Sequence, residues 1–141
     1  MSAVEAEIEA FFAAFEAASR SEQWHHYEEL FLPTFFSLDP GVAAPVDRAA
    51  LIAFLPQRRG LFARAGATGT RLTGLETLPL DALHVLARTT WDVVHDAPHP
   101  PVTLRSSFVL RDGPEGWRIA VYLNHESLLE LLGLDPRPAA T

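Results

Sequence analysis

Cysteine is absent from the 141 residues of this chain. Its absence excludes disulfide bonds, thiolate metal sites and a cysteine nucleophile. Basic residues are also outnumbered, since 11 of them face 18 acidic residues and give a formal net charge of −7. A nucleic-acid backbone would be repelled by that charge, so we expect no nucleic-acid partner.

Long apolar segments are missing as well. No run approaches the roughly 20 apolar residues that a membrane helix needs, and the N-terminus carries Glu5, Glu7 and Glu9 instead of a basic segment followed by an apolar one. We therefore expect a cytoplasmic, water-soluble protein without a signal peptide or a membrane partner. The sequence also lacks a His-Glu-x-x-His helix and a phosphate-binding glycine loop, so we predict no metal and no cofactor.

The overall composition is that of an ordinary globular domain. Hydrophobic residues make up 48% of the sequence and charged residues 21%, which is enough apolar material for a real core. No repeat and no linker interrupts the chain. We predict a single domain over residues 1–134, followed by a flexible C-terminal tail over residues 135–141.

Helical periodicity dominates the first third of the sequence. A capping box begins at Ser2, and the apolar stripe behind it predicts a helix over residues 3–19. A second, shorter helix is expected between a cap at Ser21 and a stop at Pro33. Residues 35–38 then have the composition of a short strand.

Two further helices are predicted. Asp47 is expected to cap a helix over residues 49–65, in which Pro56 favours a kink or a division into two short helices. Near the other end of the chain, Asn124 is expected to cap a final helix that runs through Leu132.

The segment between these helices has the alternation and the residue types of strands. Its predicted strands cover residues 70–78, 83–95, 102–111 and 117–124. Short connections between them indicate an antiparallel meander. Helices followed by such strands are typical of an α+β fold, in which the helices pack on one face of a curved sheet and leave a pocket.

Four local segments, in this order of elements, carry a resemblance to a known family. They are EIEAFFAAF at 7–15, YEELF at 27–31, FSLDP at 36–40 and DGPEGWRI at 112–119. The chain resembles the nuclear transport factor 2-like (NTF2-like) superfamily over about residues 4–127, in its SnoaL-like and ketosteroid-isomerase-like branch. The resemblance implies a cone-shaped, cystatin-like fold with a small-molecule pocket.

The resemblance also implies roles for three positions. Asp39 lies where the steroid isomerases of the family carry their aspartate base. Phe12 and Ser106 lie where those enzymes carry a tyrosine and a protonated aspartate that stabilise an oxyanion. Phenylalanine cannot donate a hydrogen bond, and serine is a weaker substitute for a carboxylic acid. We therefore expect the scaffold without the steroid-isomerase mechanism.

Strand alternation divides the sheet residues into two faces, and the relatives indicate which face lines the cavity. The residues expected to face the cavity are His84, Leu86, Arg88, Thr90, Asp92, Arg118, Ala120, Tyr122 and Asn124. The opposite face would then be apolar, which a monomer should not expose. We accordingly predict a homodimer that buries Trp91, Ile119 and Val121.

The candidate site residues fall into a catalytic group and a ligand-binding group. The catalytic candidates are Asp39 as a base and His84 as a proton carrier. The ligand-binding candidates are Arg88, Tyr122, Asn124, Trp24, Phe12 and Ser106. Simpler roles compete with these, because Asp39 precedes a Pro-Gly turn and Arg88 has acidic neighbours such as Asp92 with which to pair.

Two classes of function fit these features. The first is binding of a small apolar molecule with a carbonyl or carboxylate group, with or without cofactor-free acid–base isomerisation, cyclisation or dehydration. The second is a non-catalytic, dimeric association or ligand-binding module. A converging polar cluster in a deep pocket would favour the first, and a pocket plugged by aromatic residues would favour the second.

Overall fold

A computed structural model describes residues 2–133. The predicted tail at 135–141 lies outside these residues, as does residue 134 at the end of the predicted domain. The elements in chain order are α1 (Ala3–Ser21), a 3₁₀ helix (Trp24–Glu29), β1 (Phe31–Asp39), β2 (Val42–Asp47), α2 (Arg48–Arg64), β3 (Ala67–Pro79), β4 (His84–His95), β5 (Thr103–Gly113), β6 (Gly116–Asn124) and α3 (Leu128–Leu131).

The strands form one six-stranded sheet in the order β2-β1-β6-β5-β4-β3. β1 and β6 are parallel, and the other neighbouring pairs are antiparallel. The predicted α+β fold, with helices packed against a curved and mainly antiparallel sheet, is confirmed. β2 was not expected from the sequence. It is an edge strand, where Pro45 is tolerated because one side of the strand has no partner.

The first helix agrees with its prediction and the second does not. The Ser2 hydroxyl accepts a hydrogen bond from the Glu5 amide at 3.1 Å, as expected for an N-cap. Ser21, however, is the last residue of α1, and Glu22 ends that helix in the left-handed conformation with a φ of 58°. The following segment is only a 3₁₀ helix, and Pro33 lies inside β1.

The later helices differ from their predictions in detail. α2 continues through Pro56 as one helix, so the alternative of two short helices is wrong. Asp47 precedes α2, but its side chain makes no capping hydrogen bond. α3 is capped by Ser127, whose hydroxyl accepts from the Glu130 amide at 3.3 Å. Asn124 cannot be this cap because it belongs to β6.

The core lies between the helices and one side of the sheet, which we call the inner face. Phe12 packs against Phe108 of β5, with ring centroids 5.0 Å apart, and Phe15 packs against Trp91 of β4 at 5.7 Å. The inner residues of β4 are the buried ones, namely Val85, Ala87, Thr89, Trp91 and Val93.

This arrangement reverses the predicted faces of β4. The set containing His84, Arg88 and Asp92 lies on the outer face, and Trp91 is in the core rather than in a dimer contact. The physical reason is ordinary, because apolar strand residues are the ones that pack against helices. The prediction had placed His84, Arg88 and Asp92 on the side of β4 that faces the helices. The structure has Val85 and the other buried residues of β4 on that side.

β6 contains a bulge that breaks its alternation. Val121 pairs with Val109 and Ile119 pairs with Leu110, so Ala120 has no partner in β5. The extra residue lets Ile119, which is fully buried, face inward on the same side as Tyr122. The prediction that Ile119 belongs to the outer face is therefore wrong.

Candidate functional site

A cavity of about 300 Å³ lies between α2 and the half of the sheet formed by β2, β1 and β6. It is lined by Phe15, Tyr27, Phe31, Phe35, Ser37, Val46, Ala50, Leu51, Phe54, Leu55, Arg58, Tyr122 and Asn124. Most of these side chains are apolar or aromatic, and a few polar groups converge among them. This combination is typical of a small-molecule site.

Arg58 is the only cationic residue of the cavity wall. It lies on the inward stripe of α2 with Leu51, Leu55 and Phe62, at helical spacing. Its guanidinium lies over the Phe62 ring, 5.1 Å from the ring centroid. Two smaller cavities, of about 30 and 20 Å³, also have Arg58 in their walls, so the side chain stands where all three meet.

Tyr27 presents a buried hydroxyl without a partner. The residue is only 2% exposed, and its hydroxyl oxygen has no hydrogen-bond partner among the described residues. Burial raises the pKa of the Tyr27 phenol to about 12, although the nearby charge of Arg58 acts in the opposite direction. At neutral pH Tyr27 is therefore a neutral phenol. The residue lines the cavity, but its hydroxyl oxygen is inaccessible to solvent.

Two side chains of β6, Tyr122 and Asn124, form one side of the cavity. The Ser106 hydroxyl donates a hydrogen bond to the side-chain carbonyl of Asn124 at 2.7 Å, which orients the amide. Tyr122 packs its ring against Phe108, with centroids 4.7 Å apart. Tyr122 and Asn124 were predicted to face the cavity, and both line it. Ser106 lines the adjacent cavity of about 20 Å³.

The two predicted catalytic residues do not line this cavity. The Asp39 carboxylate accepts a hydrogen bond from the Gly41 amide at 2.7 Å, as a turn residue does. His84 begins β4, and its Nδ1–H donates to Asp81 at 2.8 Å while its Nε2 accepts from Arg111 at 2.9 Å. Nδ1 is therefore engaged within the β3–β4 hairpin, and Nε2 is engaged by Arg111 of β5.

Asp81 is held as an anion in that hairpin. The amide of Leu83 and the imidazole of His84 donate to its carboxylate and lower the pKa of Asp81 below its usual value. These hydrogen bonds hold the turn between β3 and β4 together. The group formed by Asp81 and His84 lies on the outer side of the sheet, away from the cavity.

Three predicted ligand contacts also lie elsewhere. The Arg88 side chain is 65% exposed on the outer face, 3.7 Å from the carboxylate of Glu76. Phe12 is a fully buried core residue that is not part of the cavity wall. Trp24 lines only the cavity of about 30 Å³. Asp39, His84 and Arg88 therefore do not form the predicted constellation around one pocket.

The cavity wall lacks groups for proton abstraction. Among its lining residues, all of which lie within the described part of the chain, there is no aspartate, glutamate or histidine. Glu126 lines the neighbouring cavity of about 20 Å³, but it is paired with Arg105. The sequence also contains no lysine, which excludes a lysine Schiff base. The wall is suited to holding a molecule, and it supplies no general base.

Metal and membrane features are absent from the part of the chain that the structure describes. Residues 2–133 contain no group of three or more histidine, aspartate or glutamate side chains placed to hold a metal ion. Within the same residues, no helix is both long enough and apolar enough to cross a membrane.

Sequence reasoning missed Arg58, although a signal was present. Leu51, Leu55, Arg58 and Phe62 follow one another at intervals of three or four residues, so the arginine interrupts an apolar helical stripe. A charged residue at such a position is costly unless it meets a partner. The interruption of the apolar stripe is therefore the sequence signal that indicates a binding residue at Arg58.

No family model matches this sequence, and no curated protein matches it. Solved structures do match its fold. A Nostoc punctiforme protein with a cystatin-like fold has a TM-score of 0.72 at 15% identity, covering 91% of this chain and 95% of its own. An NTF2-like protein with a cystatin-like fold from Novosphingobium aromaticivorans has a TM-score of 0.69 at 20% identity, covering 96% and 85%.

A third similar structure is a putative calcium/calmodulin-dependent protein kinase II association domain from Xanthomonas campestris. Its TM-score is 0.64 at 15% identity, and the match covers 86% of each chain. At these identities the comparisons establish the fold alone. The expected NTF2-like, cystatin-like fold is confirmed, while assignment to the SnoaL-like branch stays a prediction.

Proposed function

We propose that this chain, which has the fold of the NTF2-like proteins, binds a small and largely apolar molecule in the cavity beneath α2. The molecule would carry a carbonyl or carboxylate group. The proposal needs no cofactor, because the cavity wall already combines aromatic surface with hydrogen-bond donors.

The observation that carries this proposal is the open, mainly apolar cavity of about 300 Å³, whose wall also holds the polar side chains of Arg58, Tyr122 and Asn124. Apolar wall surface left in water is unfavourable by roughly 25 cal/mol per Å². A ligand that covers this surface and accepts hydrogen bonds from the polar side chains would remove that cost.

Binding without turnover is the better-supported form of the proposal. Isomerisation, cyclisation or dehydration by acid–base chemistry would need a group that takes a proton from the ligand. The lining residues offer the side chains of Arg58, Tyr122 and Asn124 as donors, and no carboxylate or imidazole as a base.

A thermal-shift screen with a blocked variant tests this function. The panel comprises small apolar ketones, carboxylic acids, polyketide fragments and steroids. A ligand at about 100 times its Kd adds about 2.7 kcal/mol and should raise the unfolding midpoint by several degrees. Ala50→Trp, at an exposed position on the cavity wall, should abolish the shift.

Ala49→Trp is the matched control, because Ala49 is also exposed on α2 but does not line the cavity. It should keep the ligand-induced shift. A panel without any shift would contradict the proposal, and so would a shift that Ala50→Trp leaves unchanged.

A second candidate function is association with another copy of the chain, which the outer face of the sheet favours. Side chains that are paired in register form an apolar row across all six strands; the row consists of Pro45, Phe36, Val121, Val109, Leu86 and Leu78. Phe36 is 42% exposed and Leu78 is 56% exposed.

A second copy fits this apolar row best, because the two-fold contact of a homodimer places the same patch on both sides. Glu76 and Arg88 lie one row away with opposite charges, so a rotated copy can pair them across the contact. The description of the Xanthomonas campestris relative as an association domain agrees with such a role. This contact uses the outer row and not the Trp91 and Ile119 side chains that were first expected.

A further inference from the structure

We infer that the ligand of the cavity is a compact monocarboxylate, with Arg58 as its counter-ion. This inference rests on the proposed function and adds the charge and the approximate size of the ligand.

Arg58 lacks a polar partner in the described part of the chain. Within residues 2–133, its guanidinium makes no hydrogen bond and no ion pair, and its neighbour is the Phe62 ring. The other arginines of that region bond to carboxylates, carbonyls or an imidazole, apart from Arg64, which is exposed to water at the end of α2. Arg58 is thus half-buried without an acceptor, in a chain that has acidic residues in excess.

Geometry favours a carboxylate over other acceptors. A planar guanidinium matches the two oxygens of a carboxylate in a bidentate pair. Arg58 is the only charged residue among those that line the cavity. One cation compensates a single negative charge, whereas a phosphate dianion would leave a charge unbalanced in an apolar site.

The apolar part of the cavity wall limits the size and shape of the ligand outside its carboxylate group. About 300 Å³ lies at the lower end of the range of ligand pockets. Phe31, Phe35 and Phe54 supply rings for packing, and Leu51 and Val46 supply aliphatic surface. A single aromatic ring or a short branched alkyl group fits this description better than a long chain or a steroid.

Matched acid and amide pairs test the inference by isothermal titration calorimetry. The probes are benzoate, phenylacetate, cyclohexanecarboxylate and 3-methylbutanoate, each beside its own primary amide. Charge-assisted hydrogen bonds should make at least one acid bind roughly ten- to a hundredfold more tightly than its amide. Arg58→Met keeps the apolar stem and should remove that preference, so that each acid binds no more tightly than its amide.

Arg64→Met is the control for loss of positive charge on the same helix, and it should keep the preference for acids. Unfolding midpoints establish that each variant is folded. The inference is overturned if no acid binds more tightly than its amide, including the case in which neither binds, or if Arg58→Met keeps the preference. Neutral ligands that pass the thermal-shift screen would then leave the proposed function standing, whereas a failure of both experiments would remove both.

Discussion

The ionisation of Tyr27 can be used to test how the side chains beside the cavity are packed. Its ring stacks on Phe31 with centroids 5.9 Å apart and planes 9° apart, so the hydroxyl has a fixed direction. The phenol releases its proton less readily in the folded protein, where its pKa is about 12, than in the unfolded chain, where it is near 10.0. The folded state therefore favours the protonated phenol, and the stability that this contributes is complete below pH 10 and is lost as the pH rises toward 12.

This loss can be measured without interference from other side chains. The sequence has two tyrosines, no cysteine and no lysine, so tyrosines are its only side chains that titrate between about pH 9 and 12. In a Tyr122→Phe protein the tyrosinate absorbance should rise with a midpoint near pH 12, and near pH 10 in denaturant. Stability to urea should fall by on the order of 2–3 kcal/mol between these values. A folded-state midpoint near pH 10 would contradict the buried, unpartnered hydroxyl.

The two arginines named above show why the site was only partly predictable residue by residue. Arg88 was assigned to the cavity because alternation was read with the wrong face inward, and it lies in solvent beside Glu76. Arg58 was overlooked because a single helical position does not reveal whether a cavity opens beside it. Tyr122 and Asn124 line the cavity, but the alternation that placed them there put Ile119 on the opposite face, because the bulge in β6 leaves no sign in the sequence pattern.

At the scale of elements, the helices and strands with strong periodicity were predictable and the short irregular ones were not. α1 and the four strands of the meander follow directly from their apolar patterns. β2 contains Pro45 and small residues, so it forms because β1 offers a partner. The inward face of β4 is decided by packing on α1, which alternation alone cannot specify.

The bulge in β6 sets the spacing between Ile119 in the core and Tyr122 in the cavity wall. Deleting Ala120 would remove the bulge but leave these two residues two positions apart, so both could still face inward. Only the bend and the extra twist of the bulged strand would be lost. We expect the deletion to destabilise the fold by less than about 2 kcal/mol, below the 2–5 kcal/mol that the loss of a large core side chain costs, measured by urea unfolding.

Ala120→Gly keeps the extra residue and serves as the control. It should change stability by no more than about 1 kcal/mol. If the deletion cost as much as the loss of a large core side chain, about 2–5 kcal/mol, Ile119 and Tyr122 would not have kept the same face.

At the scale of the whole molecule, the order of elements was sufficient to predict the α+β class, and the resemblance to the NTF2-like superfamily supplied the cone shape. Helices that precede an antiparallel meander have few ways to cover one face of a curved sheet. The parallel pairing of β1 with β6 was not predicted, because residues so far apart in sequence leave no local pattern. The outer surface was predicted as a contact, but with side chains that belong to the core.

The apolar row on the outer face makes a prediction about assembly. The parent protein should sediment as a dimer, and Val109→Glu, at the centre of the row, should sediment as a monomer because a charge would be buried. Leu78→Arg, at an exposed edge of the row, should weaken the dimer without disturbing the core. Analytical ultracentrifugation over a range of concentrations measures both.

Ala14→Glu adds the same charge as Val109→Glu on the exposed side of α1 and should leave the dimer intact. A parent protein that is monomeric at every concentration would rule out the second copy as the occupant of this face. A Val109→Glu protein that remains dimeric would locate the contact elsewhere on the surface.

The parallel pairing of β1 with β6 also has a consequence for how the chain acquires its structure. β1 lies between β2 and β6 in the sheet, yet Ser37 and its partner Tyr122 are separated by most of the sequence. The β1–β2 hairpin can form early, but β1 can take its place in the full sheet only after β6 has been synthesised. A pairing of such long range slows folding, and until it forms, the inner side of β1 and the mouth of the cavity are open to water and to other nascent chains.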